Sequence, residues 1–172
     1  MKTKKVKHDV QELKESEITE VLGRSLVTGF IGGIIWSSIA TFMYYFNLSE
    51  VSVRAFMLRP WIQAEWINRW PGDVLSIILV GFLSVLVALI YFMLFKKMNI
   101  ISIGLLYGLL LWFLVFYVFQ SIFVNVPKLD DLHYNTIIST ICVYALYGTF
   151  IGYSISYDYY DTSLKKMKSS QL

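Results

Sequence analysis

The chain has 172 residues, 56% of them hydrophobic and 16% charged, with a net charge of +3 and a mean hydropathy of +0.58. A soluble domain averages ~45–50% apolar residues and ~25% charged ones, and a chain this short leaves much of its surface facing solvent. An ordinary cytosolic domain and a disordered tail are therefore excluded, and the lone Cys142 excludes an intrachain disulfide or a multi-cysteine metal site.

Residues 1–24 form a tail with two charge blocks. Lys2, Lys4, Lys5 and Lys7 are followed by Glu12, Glu15, Glu17 and Glu20. Near anionic lipid each basic residue is worth ~1 kcal/mol of attraction, so anionic lipid is an expected partner of the tail.

The first apolar span is 25–46. It is too long for the ~7–15-residue core of a signal peptide, lacks a small-residue cleavage site, and ends on Tyr44, Tyr45 and Phe46, so it is expected to stay uncleaved. Ser25, Gly29, Gly33, Ser37 and Thr41 recur every four residues along it and make one continuous ridge of small side chains. In lipid such ridges let helix backbones approach. Internal bundle packing is the ordinary use of such a ridge, and a homodimer or partner interface is the alternative.

The outer loop 47–73 carries three of the five tryptophans. Pro60 suits the first turn of a helix, and Ile62, Trp66 and Trp70 are spaced by four. The spacing predicts a short amphipathic helix lying in the interface, ended by Pro71 and Gly72, with Asp73 capping the next span. Arg59, Trp61, Trp66 and Trp70 read first as an interfacial anchor. They are also candidates for a partner-docking surface, because clustered aromatics with arginine make good binding hot spots.

The remaining spans are 74–95, 100–124 and 136–157, followed by a tail over 158–172. None of the four spans contains Asp, Glu, Lys, Arg or His. Each is long enough to cross a hydrocarbon core of ~30 Å as a helix. Continuous apolar runs favour helices over alternating barrel strands. Spans two and three are joined by Lys96 to Asn99, which predicts antiparallel neighbours. Gly104 and Gly108 mark the third span, and Gly148 and Gly152 the fourth, as further packing ridges. Asn135 is expected to cap the fourth span, and Cys142 to be a buried, inert thiol.

Lys and Arg set orientation. With the N-terminus inside, the inner segments hold Lys2, Lys4, Lys5, Lys7, Lys14, Arg24, Lys96, Lys97, Lys165, Lys166 and Lys168. The outer segments hold only Arg54, Arg59, Arg69 and Lys128. The expected fold is an all-α integral membrane four-helix bundle with both termini cytoplasmic and a short interfacial helix in the first outer loop.

Chemistry is sparse. Transporters and pumps usually keep an ionisable group at depth, and here none exists. No phosphate-binding loop, G-x-G-x-x-G or H-E-x-x-H pattern occurs. No histidine lies within a span, so a Ser–His–Asp arrangement cannot form there. Asp130, Asp131 and His133 form a short polar run that reads as a solvated turn rather than a cation site. No catalytic, cofactor or metal residue and no nucleic-acid partner is expected.

Leu58, Pro60, Trp61, Trp66, Trp70 and Gly72, then Ser76-Ile77-Ile78, Tyr107-Gly108 with Trp112, and above all the run from Asn135 to Tyr159 resemble the YqhR family of Bacillus-type Firmicutes. The likeness covers roughly residues 24–160. It implies a multi-pass plasma-membrane protein of a sporulating bacterium, and it supplies no catalytic or binding residues. The expected function is a non-enzymatic accessory or scaffold acting through helix–helix and loop contacts with the bilayer, a second copy or a membrane-protein partner. The alternative is a small oligomeric permease or channel component for a neutral solute.

Overall fold

In the computed structural model, the chain is described over residues 2–62, 64–95, 101–119 and 129–169, and its side chains over 19–62, 64–95, 101–119, 129 and 131–162. Residues 96–99, Lys128, the Asp130 side chain and the side chains of both basic clusters lie outside these residues. The described residues form helices and turns without a strand. The helices are α1 (Lys2–Tyr45), α2 (Val53–Met57), α3 (Trp70–Phe95), α4 (Ile101–Phe113, continued by a π-helical turn over Leu114–Val118) and α5 (Tyr134–Ser169). Among the described residues, four segments are long and apolar enough to span a membrane: Thr19–Tyr45, Trp70–Phe95, Ile101–Val118 and Tyr134–Thr162.

The side-chain distribution is that of a bundle meant for lipid. Val27, Ile31, Ile35, Ile39 and Phe42 make an exposed stripe on α1, while Ser25, Ser37 and Thr41 on the opposite face are buried. Large apolar groups face out and small or hydroxylated ones face in, the reverse of a water-soluble helix. The inward hydroxyls bond within the helix: Ser37 donates to the Gly33 carbonyl at 2.6 Å, and Thr41 to the Ser37 carbonyl at 2.9 Å. Ser76 on α3 donates to the Gly72 carbonyl at 2.7 Å. These three hydroxyls are thereby satisfied within their own helices, as hydrocarbon requires.

Close backbone approach is concentrated in two pairs, α1 with α3 and α4 with α5, and α1 also lies along α5. Glycine makes both pairs possible. A Cβ on Gly29 would stand 2.6 Å from the Ala88 Cβ, and one on Gly33 would stand 2.5 Å from the Ser84 Cβ. On the other pair, Gly104, Gly108, Gly148 and Gly152 interleave so closely that a Cβ on Gly148 would collide with the Gly108 backbone. The consecutive helices α3 and α4 meet differently, through long side chains. Tyr107 donates to the Val87 carbonyl at 2.8 Å, and its ring packs on Tyr91 and Phe95. These rings belong to the main core cluster with Val21, Ile151 and Ile155.

Helix ends depart from expectation in instructive ways. Pro71 and Gly72 do not stop a helix; they begin α3. Proline tolerates the first turn, where its missing N–H has no partner to lose, and a Cβ on Gly72 would overlap the Ile67 carbonyl. Asp73 therefore lies inside the first turn of α3 rather than at a cap. Asn135 likewise falls inside α5, which starts at Tyr134. Asn47 closes α1 with φ 56°, and the Leu48 N–H reaches the Met43 carbonyl at 2.9 Å while the Asn47 N–H reaches Tyr44 at 3.1 Å. That is the two-bond C-terminal motif usually completed by glycine, with asparagine accepting the left-handed position. Cys142 is exposed on α5, not buried, because it sits on a face that no other helix covers.

α1 spans 44 residues and α5 36, about 66 and 54 Å at ~1.5 Å per residue, well beyond a ~30 Å hydrocarbon core. The tail over 2–24 thus continues the first span as helix without a break. The excess of both helices lies at the end opposite the loop between α1 and α3, where Glu20, Arg24 and Asp158 share one cleft.

Candidate functional site

At the loop end, residues 46–69 fold back over the helix termini as a cap. Instead of one helix through Trp61, Trp66 and Trp70, the cap contains α2, a turn over 58–61 and a 3-10 turn over Glu65–Asn68, and Trp70 already belongs to α3. The apolar residues that anchor the cap are Val51, Ala55, Leu58 and Ile67, all buried. Ile62, Trp66 and Trp70, which share a face by spacing, all point outward. Trp61 is 80% exposed and Trp70 73%, so the indoles contribute little to holding the cap down. Arg59 is half-buried and donates to the Asn68 side-chain carbonyl at 3.1 Å, tying the turn at 58–61 to the 3-10 turn.

Polar contacts fix the cap to three helices. Arg54 on α2 donates to Asp73 Oδ2 on α3 at 3.2 Å, and both side chains are more than nine-tenths buried. The Tyr45 hydroxyl at the end of α1 donates to the same oxygen at 2.5 Å. The Arg54 guanidinium also lies over the Tyr44 ring, 5.5 Å from its centroid. On the other side, Glu50 accepts from His133, whose ring nitrogen stands at 2.6 Å, and its own N–H donates to Thr136 at the start of α5 at 3.1 Å. Asp131 and His133 are exposed, and no group of three metal-ligating side chains occurs among the described residues.

Under the cap lies an apolar cavity of about 460 Å³. Its roof is built from Ser52, Phe56 and Trp61, and its walls from α1, α3, α4 and α5. Deeper in, the Ser84 hydroxyl donates to the Gly29 carbonyl at 2.6 Å and accepts from the Tyr147 hydroxyl at 2.5 Å, joining α1, α3 and α5. The Trp112 indole N–H donates to Thr140 at 3.0 Å between α4 and α5.

The positions singled out by sequence thus divide into two groups. Ser25, Gly29, Gly33 and Ser37 are buried within the bundle, the two glycines against α3, and Gly104, Gly108, Gly148 and Gly152 lie in the α4–α5 contact. Arg59, Trp61 and Trp66 lie on the cap, and Trp70 opens α3 beside it. From sequence Asp73 reads as a cap, Tyr45 as part of the aromatic end of a span and His133 as part of a solvated turn, and spacing gives Arg54 and Glu50 no structural contact. The available signal was charge: Arg54 and Asp73 are opposite charges flanking the ends of two adjacent spans.

Residues 4–170 match the family described as conserved membrane protein YqhR. The chain belongs to the YqhR family. It is also 44% identical over 159 residues to a Bacillus subtilis (strain 168) protein described as "Uncharacterized protein YqhR", covering 91% of this chain and 89% of that one. No solved structure matches the chain. Membership covers both the cap and the bundle, so the four apolar helices and the pinned loop are described together as one YqhR unit.

Proposed function

We propose that the protein is a non-enzymatic accessory or scaffold subunit of the bacterial cell membrane, and that the cap is the surface through which it engages a membrane-protein partner. The observation that carries this reading is the exposure of Trp61, Trp66 and Trp70 on a loop pinned by the buried Arg54–Asp73 pair. Rigid exposed aromatics bind with little loss of conformational freedom. At headgroup depth the same indoles anchor the cap in the interface. The Ser37, Thr41 and Ser76 hydroxyls are engaged by backbone carbonyls of their own helices, which supports this reading over a permease for a neutral solute.

In this reading the cap faces outward and both termini are cytoplasmic, with the basic tails on anionic lipid. The lysine and arginine asymmetry supports it, as does the shared end of the α1 and α5 extensions. A reporter fused after Leu172 is then cytoplasmic and one inserted near Ala64 is external; the reverse pattern contradicts it. Because α3 packs on Gly29 and Gly33 of the small-residue ridge, a homo-oligomer is expected to form through another face.

The docking role is tested by placing a photoreactive amino acid at Trp61, and separately at the lipid-facing Phe82 of α3, in intact cells. A discrete protein adduct from position 61 and none from position 82 supports the proposal. Equal labelling from both positions overturns it.

A further inference from the structure

We propose that the cavity beneath the cap binds a single acyl chain of a membrane lipid, drawn from the leaflet at the loop end. The first ground is shape. Among the described residues, α3 and α4 have few close backbone approaches, and their contact through Tyr107 with Val87, Tyr91 and Phe95 lies at the far end of the cavity. Above that contact Leu83 of α3 and Phe119 just past α4 line the cavity while remaining 46% and 39% exposed. The cavity therefore opens sideways between two membrane-spanning helices, onto hydrocarbon.

The second ground is the lining. Val80, Val87, Leu111 and Val115 face it, and the Ser84 and Tyr147 hydroxyls at its depth are already bonded to each other and to Gly29. Apolar cavities of this kind do not hold water and take apolar ligands instead. The π-helical turn over Leu114–Val118 falls on this wall, and such bulges are frequent at functional sites.

Size then chooses the occupant. A helix ~10–12 Å across would fill 460 Å³ with about one turn, so a transmembrane helix from a second copy or a partner does not fit. The lining on α1 runs from Gly33 to Met43, about 15 Å at ~1.5 Å per residue, which is half of a ~30 Å hydrocarbon core. A slot one leaflet deep, apolar and open to the side matches one acyl chain.

The test uses the full-length protein in phosphatidylglycerol nanodiscs containing a trace of phosphatidylglycerol with a diazirine at the end of one acyl chain. After irradiation, adducts are mapped by mass spectrometry. The expected result is enrichment on the order of tenfold at Leu83, Val115 and their cavity neighbours over the lipid-facing Phe82 and Leu86. Ala40→Phe and Val80→Phe, two independent fillings of the slot, should each abolish that enrichment while leaving the Phe82 and Leu86 adducts in place. Adducts spread evenly over all exposed faces of the wild-type protein, or enrichment that survives both fillings, would overturn the proposal.

Discussion

Arg54 and Asp73 lie 19 positions apart in sequence and 3.2 Å apart in the fold, each with more than nine-tenths of its side chain buried. The pair joins the cap to α3, and Tyr45 brings the end of α1 to the same carboxylate. Breaking a buried pair from one side strands the other charge, at about 3–5 kcal/mol. Asp73→Asn or Arg54→Ala should therefore lower the detergent-solubilised unfolding midpoint sharply. The double change Arg54→Met with Asp73→Leu should recover much of the loss, because the desolvation penalty disappears with both charges. A double variant as unstable as the sum of the singles would contradict the burial.

Gly108 on α4 and Gly23 on α1 give a second contrast. A Cβ on Gly108 collides with the Tyr144 carbonyl, whereas a Cβ on Gly23 meets nothing within 4 Å. Gly108→Ala should destabilise by about 1–3 kcal/mol, the usual range for overpacking. Gly23→Ala should be neutral or stabilising by up to about 1 kcal/mol from helix propensity. Thermal unfolding of the two variants beside the wild type decides this.

Ser84 links three helices through one oxygen. Interhelical hydrogen bonds in membranes average ~0.6 kcal/mol and reach ~1.7. Ser84→Ala, which removes two of them, should destabilise by about 1 kcal/mol, and Tyr147→Phe by less. A double-mutant cycle should return a coupling of about 0.5 kcal/mol or more. A coupling of zero would show that the two hydroxyls do not meet.

Much of this was readable from sequence, for a physical reason. Lipid forbids charge at depth, so the gaps between charged residues mark the spans directly, and the glycine and serine spacing marks the faces where backbones meet. The cap was less legible. Its α2 helix and 3-10 turn are too short to carry a periodic signal, and Pro71 reads equally well as a stop or a start until Gly72 is seen against Ile67. Ile62, Trp66 and Trp70 gave a helical spacing without a helix, because buried Leu58 and Ile67 rather than the indoles fix the segment. The Arg54–Asp73 pair is a tertiary contact that no local pattern encodes. The cavity is likewise invisible in sequence, since its roof and walls come from the cap and four separate helices.

The protein's proposed action is to bind a partner through its cap. Quantitative native co-purification from membranes tests it most directly, comparing the wild type with a Trp61→Ala, Trp66→Ala, Trp70→Ala variant shown to be folded. A stoichiometric membrane-protein partner is expected with the wild type, and its loss with the variant. Recovery of both proteins as lone monomers, together with solute flux in liposomes, would contradict it.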